Sequence, residues 1–392
     1  MTAKKNSRRR FGSVRQLPSG RWQVRYRDPL TGELRPDEKT YATKTDAEVR
    51  LSQLEADITR DKWVDPDAGK VNFGEYATKW LKERKLEETT RERYETALRL
   101  HIMPALGPRF LVDITPARVR TWRTHLLESG VGEPTVVKAY QMLRAMLNTA
   151  VDDDELIRRN PCRIKGADAY DVPERPVLSV AEVFAAADAI APRWRALVLV
   201  TAFTTLRFGE LAALRRRDVD LSARLLRVRR NQAELYSGKL YDKAPKSRAG
   251  FRPVAFPDSI VDALQHHMEH FAGAESDGHM FIGPRGGRLR RSNFRDDWTA
   301  AKEGAGIPME VHFHDLRHTG NTMASQSGAS TRELMIRMGH STARAALIYQ
   351  HMTSDRDRAV ADRMDEMVQR ELSKEVPPER SGTDVARGDQ QD

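Results

Sequence analysis

Cysteine is almost absent: Cys162 is the single one in 392 residues, which excludes an internal disulfide and a zinc cluster built on cysteine thiolates. Long apolar runs are missing too. No stretch of about 18 apolar residues is present to span a bilayer, and the first eleven residues are basic and polar with no apolar segment behind them, unlike a secretory signal. A soluble, cytoplasmic protein in a reducing compartment is the expectation. There is also no Walker-type phosphate loop, no Cys/His spacing suited to zinc, and no Asp/Glu set of the kind that holds two metal ions for phosphoryl transfer. The expected chemistry therefore uses no metal, nucleotide or other cofactor.

What is abundant is charge. Lys and Arg number 66 against 56 Asp and Glu, giving a net charge of +10 and an isoelectric point of about 9.7. Nucleic acid is the first partner to consider, although a soluble protein that merely happens to be basic fits the charge equally well. Motifs must decide.

The length suits two or three domains, because single cores rarely grow past about 250 residues. The patterns predict a multidomain protein, mainly α with small β-sheets. Residues 1–65 open with Lys4, Lys5, Arg8, Arg9 and Arg10, then alternate apolar and polar residues. Trp22, Val24 and Tyr26 fall on one strand face, and Arg21, Arg25 and Arg27, the candidate DNA contacts, on the other. Turn residues on either side predict a three-stranded sheet to about Tyr41, covered by a helix that Thr45 can cap. Residues 71–166 carry four amphipathic segments, Phe73 to Arg84, Thr89 to Ile102, Thr115 to Leu127 and Thr135 to Val151, and read as a small helical domain. A linker near residues 170–176 leads to a third, α+β unit over residues 173–372, with a helix capped by Ser179, an apolar helix from Trp194 to Thr204, and strands at Leu225 to Val228 and Pro253 to Phe256. A last helix, about Ser354 to Leu372, repeats apolar residues at Val360, Met364, Met367, Val368 and Leu372, and residues 373–392 read as a disordered tail.

Five features of the third unit matter together. Thr204-Thr205-Leu206-Arg207-Phe208-Gly209-Glu210-Leu211 ends an apolar helix in an arginine, and Gly209 allows a turn before the next helix. A basic hairpin holds Lys243, Pro245, Lys246, Ser247, Arg248 and Arg252. His312-Phe313-His314-Asp315-Leu316-Arg317-His318-Thr319 places His314 and Arg317 three residues apart on one helix face. Met338-Gly339-His340-Ser341 sets a histidine at a helix junction, and Tyr349 follows nine residues later. Each has an ordinary explanation when taken alone: helix capping, an Arg207–Glu210 ion pair, a solvated turn, a core tyrosine.

Their order and spacing resemble the tyrosine recombinases, the phage-integrase family, through T-x-L-R-x-G-E-L, H-D-L-R-H-T, G-H-S and a tyrosine nine residues after the G-H histidine. The resemblance extends to about residue 372. It implies an active site of Arg207, Lys246, His314, Arg317, His340 and Tyr349, with Tyr349 as nucleophile. It also implies an arm-type DNA-binding domain at the start, a helical (SAM-like) core-binding domain, and an α+β catalytic domain. Thr205 stands where the family usually has glycine, and Arg215 to Arg217 are all basic where one aromatic is common. Lys239 and Lys243 share the predicted hairpin with Lys246, whose Pro-Lys-Ser-x-x-Gly-x-Arg setting resembles the family's hairpin.

The resemblance implies double-stranded DNA with arm-type and core-type sites as substrate, a 3′-phosphotyrosine intermediate, and a homotetramer around two duplexes. An excisionase or DNA-bending protein is a further possible partner. The helix after Tyr349 suits a tether to a neighbouring protomer or packing on its own domain. A pure DNA-binding regulator, a type IB topoisomerase and a metal-dependent nuclease are the rival readings. The arm-like domain favours integration or excision of a phage or other mobile element.

Overall fold

The computed structural model describes residues 11–171, 174–245, 248–340, 362 and 364–368. The chain divides into two compact units, residues 1–172 and 173–392.

In the first unit, alternation produces an antiparallel sheet of β1 (Gly12–Gln16), β2 (Trp22–Arg27) and β3 (Leu34–Tyr41), in chain order. Val24 and Tyr26 point to the buried face, where Ala47, Leu51 and Leu54 of α1 (Lys44–Thr59) cover them. The cap of α1 is Thr43, two residues earlier than the pattern suggested: its Oγ1 accepts from the Asp46 N–H at 3.1 Å. A cap needs extended backbone just outside the helix, and Thr45 already lies in the first turn.

Helices α2 (Phe73–Glu83), α3 (Glu88–Ala97), α4 (Met103–Leu106), α5 (Pro116–Glu128) and α6 (Glu133–Asp152) follow. Between α3 and α4 the chain makes one wide turn over Leu98–Ile102, with the Met103 N–H bonded to the Leu98 carbonyl. Pro104 accounts for it, since its nitrogen cannot donate to the residue four back. Trp122 Nε1 takes up the His101 carbonyl at 2.7 Å. The core of this bundle is Phe73, Trp80, Trp122, Tyr140, Leu143 and Leu147.

The second unit is built on α8 (Pro192–Thr204), preceded by α7 (Val180–Ala189), which Ser179 and Glu182 cap reciprocally. Trp194, Ala196 to Thr201, Ala202 and Thr204 are all buried, so α8 is a central helix, open to solvent chiefly at Pro192, Arg193 and Arg195 of its first turn. After the short α9 (Phe208–Ala212) come β4 (Val219–Asp220), β5 (Leu225–Val228), β6 (Asn231–Glu234), β7 (Leu240–Lys243) and β8 (Arg252–Ala255). They form an antiparallel sheet β4-β5-β8 and a hairpin β6-β7. Helices α10 (Val261–His270), α11 (Arg291–Gly304), α12 (Asp315–Gln326) and α13 (Thr331–Met338) complete the unit. Residues 362 and 364–368 are helical, with Met364, Met367 and Val368 exposed. Among the described residues no helix is long and apolar enough to cross a membrane.

Helices α8 and α12 meet backbone to backbone at Gly320, where a Cβ would fall 1.8 Å from the Ala202 carbonyl oxygen. Backbone cannot swing aside as a side chain can, so Gly320→Ala is expected to destabilise the protein by about 3 kcal/mol. Gly287→Ala, with open space around its Cβ, serves as the control in urea unfolding. Equal midpoints for the two variants would refute the contact.

Candidate active site

The chain leaves α8 at Thr205, whose backbone is left-handed at φ +57°. For a β-branched residue this costs about 1–3 kcal/mol, and it explains why glycine suits the position. The turn is thus at Thr205 and not at Gly209, the residue the sequence suggested. Gly209 lies inside α9, where a Cβ would stand 2.4 Å from Asn231 Oδ1 and 2.7 Å from the Gln232 carbonyl. Its small size lets α9 sit against β6.

Arg207 caps α9. Its N–H donates to Glu210 Oε2 at 2.8 Å, its Nη1 to Oε1 at 3.0 Å, and its Nη2 to the Gly339 carbonyl at 3.4 Å. The side chain remains 38% exposed. Arg317, only 2% exposed, donates through Nη1 to the Thr205 carbonyl. Its Nη2 donates to the Met338 carbonyl at 2.7 Å and to His340 Nε2 at 3.2 Å. A guanidinium has no acceptor, so His340 Nε2 accepts and the ring is neutral with its hydrogen on Nδ1. That Nδ1 has no partner among the described residues. Gly339 ends α13 in a left-handed cap, φ +63°, which turns His340 back toward Arg317.

His314 stands at the N-cap of α12 with helical backbone, exposed, and its ring is edge-on to His318 at 5.3 Å between centroids. The His314 carbonyl accepts the Arg317 N–H at 3.1 Å, so the two residues stand one helical turn apart, with His314 exposed and Arg317 buried. The surroundings disfavour the imidazolium of His314 by burial, then by His318 and Arg317, lowering its pKa to about 4. Burial, followed by Arg317, Arg207 and Arg252, lowers His340 likewise to about 4. Both rings are neutral at pH 7.

Two members of this cluster were named from sequence, Glu210 as an ion-pair partner of Arg207 and Arg252 in the basic segment, but were not assigned to the site. Glu210 is 4% exposed and Arg252 also 4%, and they meet in a fork, Nη1 to Oε1 at 3.1 Å and Nη2 to Oε2 at 3.0 Å. Burial pushes the Glu210 carboxyl up, but Arg252 and then Arg207 outweigh it and hold the pKa below the ordinary carboxylate value. Arg252 Nε also donates to the Arg337 carbonyl at 2.8 Å. One signal was available: Arg252 has the inward parity of Val254 on β8, and an inward arginine requires an acid.

Lys246 and Tyr349 lie outside the described residues. Of their neighbours, Lys243 ends β7 opposite Asn231, and Lys239 has its Nζ 5.9 Å from the Tyr241 ring centroid. In the first unit Arg21 donates to Thr40 Oγ1 at 2.7 Å, Arg25 to the Leu34 carbonyl at 3.3 Å and Arg27 to the Gly32 carbonyl at 2.9 Å. These three line the sheet face opposite α1, remote in sequence from the cluster around Arg317.

His267 and His279 are also lowered to about 4, by burial first. Each folded-state value lies below the unfolded one of about 6.5, so between those values the unfolded chain binds more protons. Stability is therefore expected to fall on acidification from pH 7 to pH 5, a window above most carboxylate titration. The urea midpoint checks it, and a midpoint unchanged between the two pH values would count against neutral buried histidines.

The Phage integrase family model matches residues 178–356, the phage integrase N-terminal domain matches residues 10–60, and the phage integrase N-terminal SAM-like domain matches residues 72–127. The chain is 38% identical over 366 residues to the integrase assigned to prophage phiRv2 of Mycobacterium tuberculosis, a match covering 91% of this chain and 96% of that protein. In structure it is similar to the Tn1549 transposon integrase, solved in complex with transposon right end DNA, with a TM-score of 0.66, 21% identity, and coverage of 75% of this chain and 100% of that one. A lambda integrase tetramer bound to a Holliday junction gives a TM-score of 0.55 at 17% identity, covering 88% of this chain and 97% of that one. Likeness at such identities concerns the fold, whereas the near full-length match in sequence settles descent: this chain belongs to the phage integrase family of tyrosine recombinases.

Proposed function

We propose that this chain integrates and excises a phage or other mobile element, cutting and rejoining DNA through a covalent bond between Tyr349 and a 3′-phosphate. The observation that carries this reading is convergence on one turn. Arg207, 132 positions before Gly339, and Arg317, 23 before His340, both bind the Met338–His340 segment, and Tyr349 follows it by nine residues.

Attack on a phosphodiester adds negative charge to the non-bridging oxygens, and donors set in advance around them stabilise it. Arg207 and Arg317 supply planar guanidinium forks, and His340 adds a donor. Tyr349, with an ordinary pKa near ~10, gives up its proton as its oxygen bonds to phosphorus, and neutral His314 can accept it. An anionic phosphate beside His314 raises its basicity. The P–O5′ bond breaks, and the leaving oxygen takes a proton from Lys246. The phosphotyrosine keeps the bond energy, so a second 5′-hydroxyl can reverse the step on a new strand.

Residues 1–65 serve as the arm-site module, residues 71–166 as the core-site module and residues 173–372 as the catalytic domain. Exchange between two duplexes requires four protomers, as in the lambda integrase tetramer. The exposed Met364, Met367 and Val368 suit a tether docking on a neighbour. In the arm module, Arg25→Ala is expected to weaken arm-site binding and reduce the salt dependence of log K by about one phosphate contact. A titration across salt concentrations with an unaltered slope removes Arg25 from the interface.

The decisive test is a nicked core-site duplex whose short 5′ fragment escapes after cleavage. The protein should become covalently attached in the presence of EDTA, and peptide mapping should place the nucleotide on Tyr349. Attachment at another residue, or cleavage that EDTA abolishes, would refute the reading.

A further inference from the structure

The active-site reading leaves Arg252 without a role, although it is as deeply buried as Glu210. A buried ion pair is often no more stable than apolar residues of the same volume, so its geometry invites a functional account. Each Glu210 oxygen is shared by two arginines. Oε1 accepts Arg252 Nη1 at 3.1 Å and Arg207 Nη1 at 3.0 Å, while Oε2 accepts Arg252 Nη2 at 3.0 Å and the Arg207 backbone N–H at 2.8 Å.

We propose that Arg252 is a positioning residue, which occupies both Glu210 oxygens so that Arg207 meets the carboxylate through a single side-chain nitrogen and keeps its Nη2 edge turned toward the Gly339–His340 turn. Without Arg252, Glu210 can rotate and take the Arg207 fork bidentately, a stronger pairing that draws the guanidinium off the phosphate. The Arg252 guanidinium also holds the other side of the site. Its Nε binds the Arg337 carbonyl at 2.8 Å, and a Cβ on Gly339 would stand 2.7 Å from its Nη1, so the end of α13 that presents His340 rests directly on it. Arg252 lies at the start of β8, so one side chain ties that strand to Arg207, through Glu210, and to the end of α13 that carries His340.

The inference rests on Arg207 acting at the phosphate. Its test is a double-mutant cycle on the nicked duplex, read as the single-turnover attachment rate at saturating protein, with core-site affinity and thermal unfolding measured alongside. Arg252→Lys keeps the charge beside Glu210 but not the fork. It is expected to lower the rate roughly tenfold to a hundredfold, as a small misplacement of a catalytic group does, with DNA affinity unchanged. In an Arg207→Ala background, adding Arg252→Lys should cost less than about twofold more, because the two act as one unit.

A wild-type rate in Arg252→Lys, or the same factor lost in both backgrounds, would overturn the inference while leaving the active-site reading intact. Wild-type attachment by Arg207→Ala would overturn both. If Arg252→Lys does not fold, Glu210→Gln takes its place in the cycle: a loss that vanishes in the Arg207→Ala background supports the inference, and an additive loss overturns it.

Discussion

Tyr349→Phe is expected to bind the nicked core-site duplex as tightly as the unaltered protein and to attach no DNA at all. The substitution removes one oxygen and keeps the ring, so any packing that the aromatic provides survives. Only the proposed nucleophile is lost. Water cannot replace it, because phosphoryl transfer here depends on an attacking atom held in line with the leaving oxygen, and that alignment is worth several orders of magnitude. Gel separation under denaturing conditions reads the covalent product, and a binding titration reads affinity. Attachment at the normal rate would transfer the nucleophile's role to another side chain. Cleavage without attachment would instead make the protein a hydrolase. A weakened affinity with no attachment would leave the phenol as a binding group alone. The result also separates this enzyme from a regulator with the same fold, which would bind in both forms and attach in neither.

Much of this molecule was legible before its structure. The alternation of Trp22, Val24 and Tyr26 located β2, and Ser179 with Glu182 three residues on marked the start of α7. Such signals are local, set by a period of two or by the four unpaired N–H groups at a helix start. The candidate site was legible through order and spacing, which bring Arg207, Arg317 and His340 into one cluster. Three features were not legible, each for a physical reason. Thr205 takes the left-handed turn although glycine stands four residues later, because Arg317 holds its carbonyl and Asn231 leaves no room for a side chain at Gly209. The cap of α1 falls at Thr43 and not at Thr45, because Thr43 keeps extended backbone and its Oγ1 accepts the Asp46 N–H at 3.1 Å. The fork between Glu210 and Arg252 joins residues 42 apart, and no periodicity within either segment reports on the other.

Arg317→Ala is expected to damage both stability and chemistry. On the chemical side, loss of one set donor at a developing oxyanion lowers a rate by about a hundredfold to a thousandfold. On the structural side, the truncation strips the Thr205 and Met338 carbonyls of their donor in a buried place, at about 1–3 kcal/mol for each unmet group. Arg317→Lys separates the two effects. An ammonium keeps the charge and can satisfy one carbonyl, yet it cannot reach Thr205, Met338 and His340 together as the guanidinium does. Its stability should therefore be largely restored in urea unfolding while its attachment rate stays close to that of the alanine variant. Restoration of the rate by lysine would mean that charge alone matters at this position. A stability equal to wild type in the alanine variant would mean that the two carbonyls find water, and that the buried guanidinium is held for catalysis without supporting the fold.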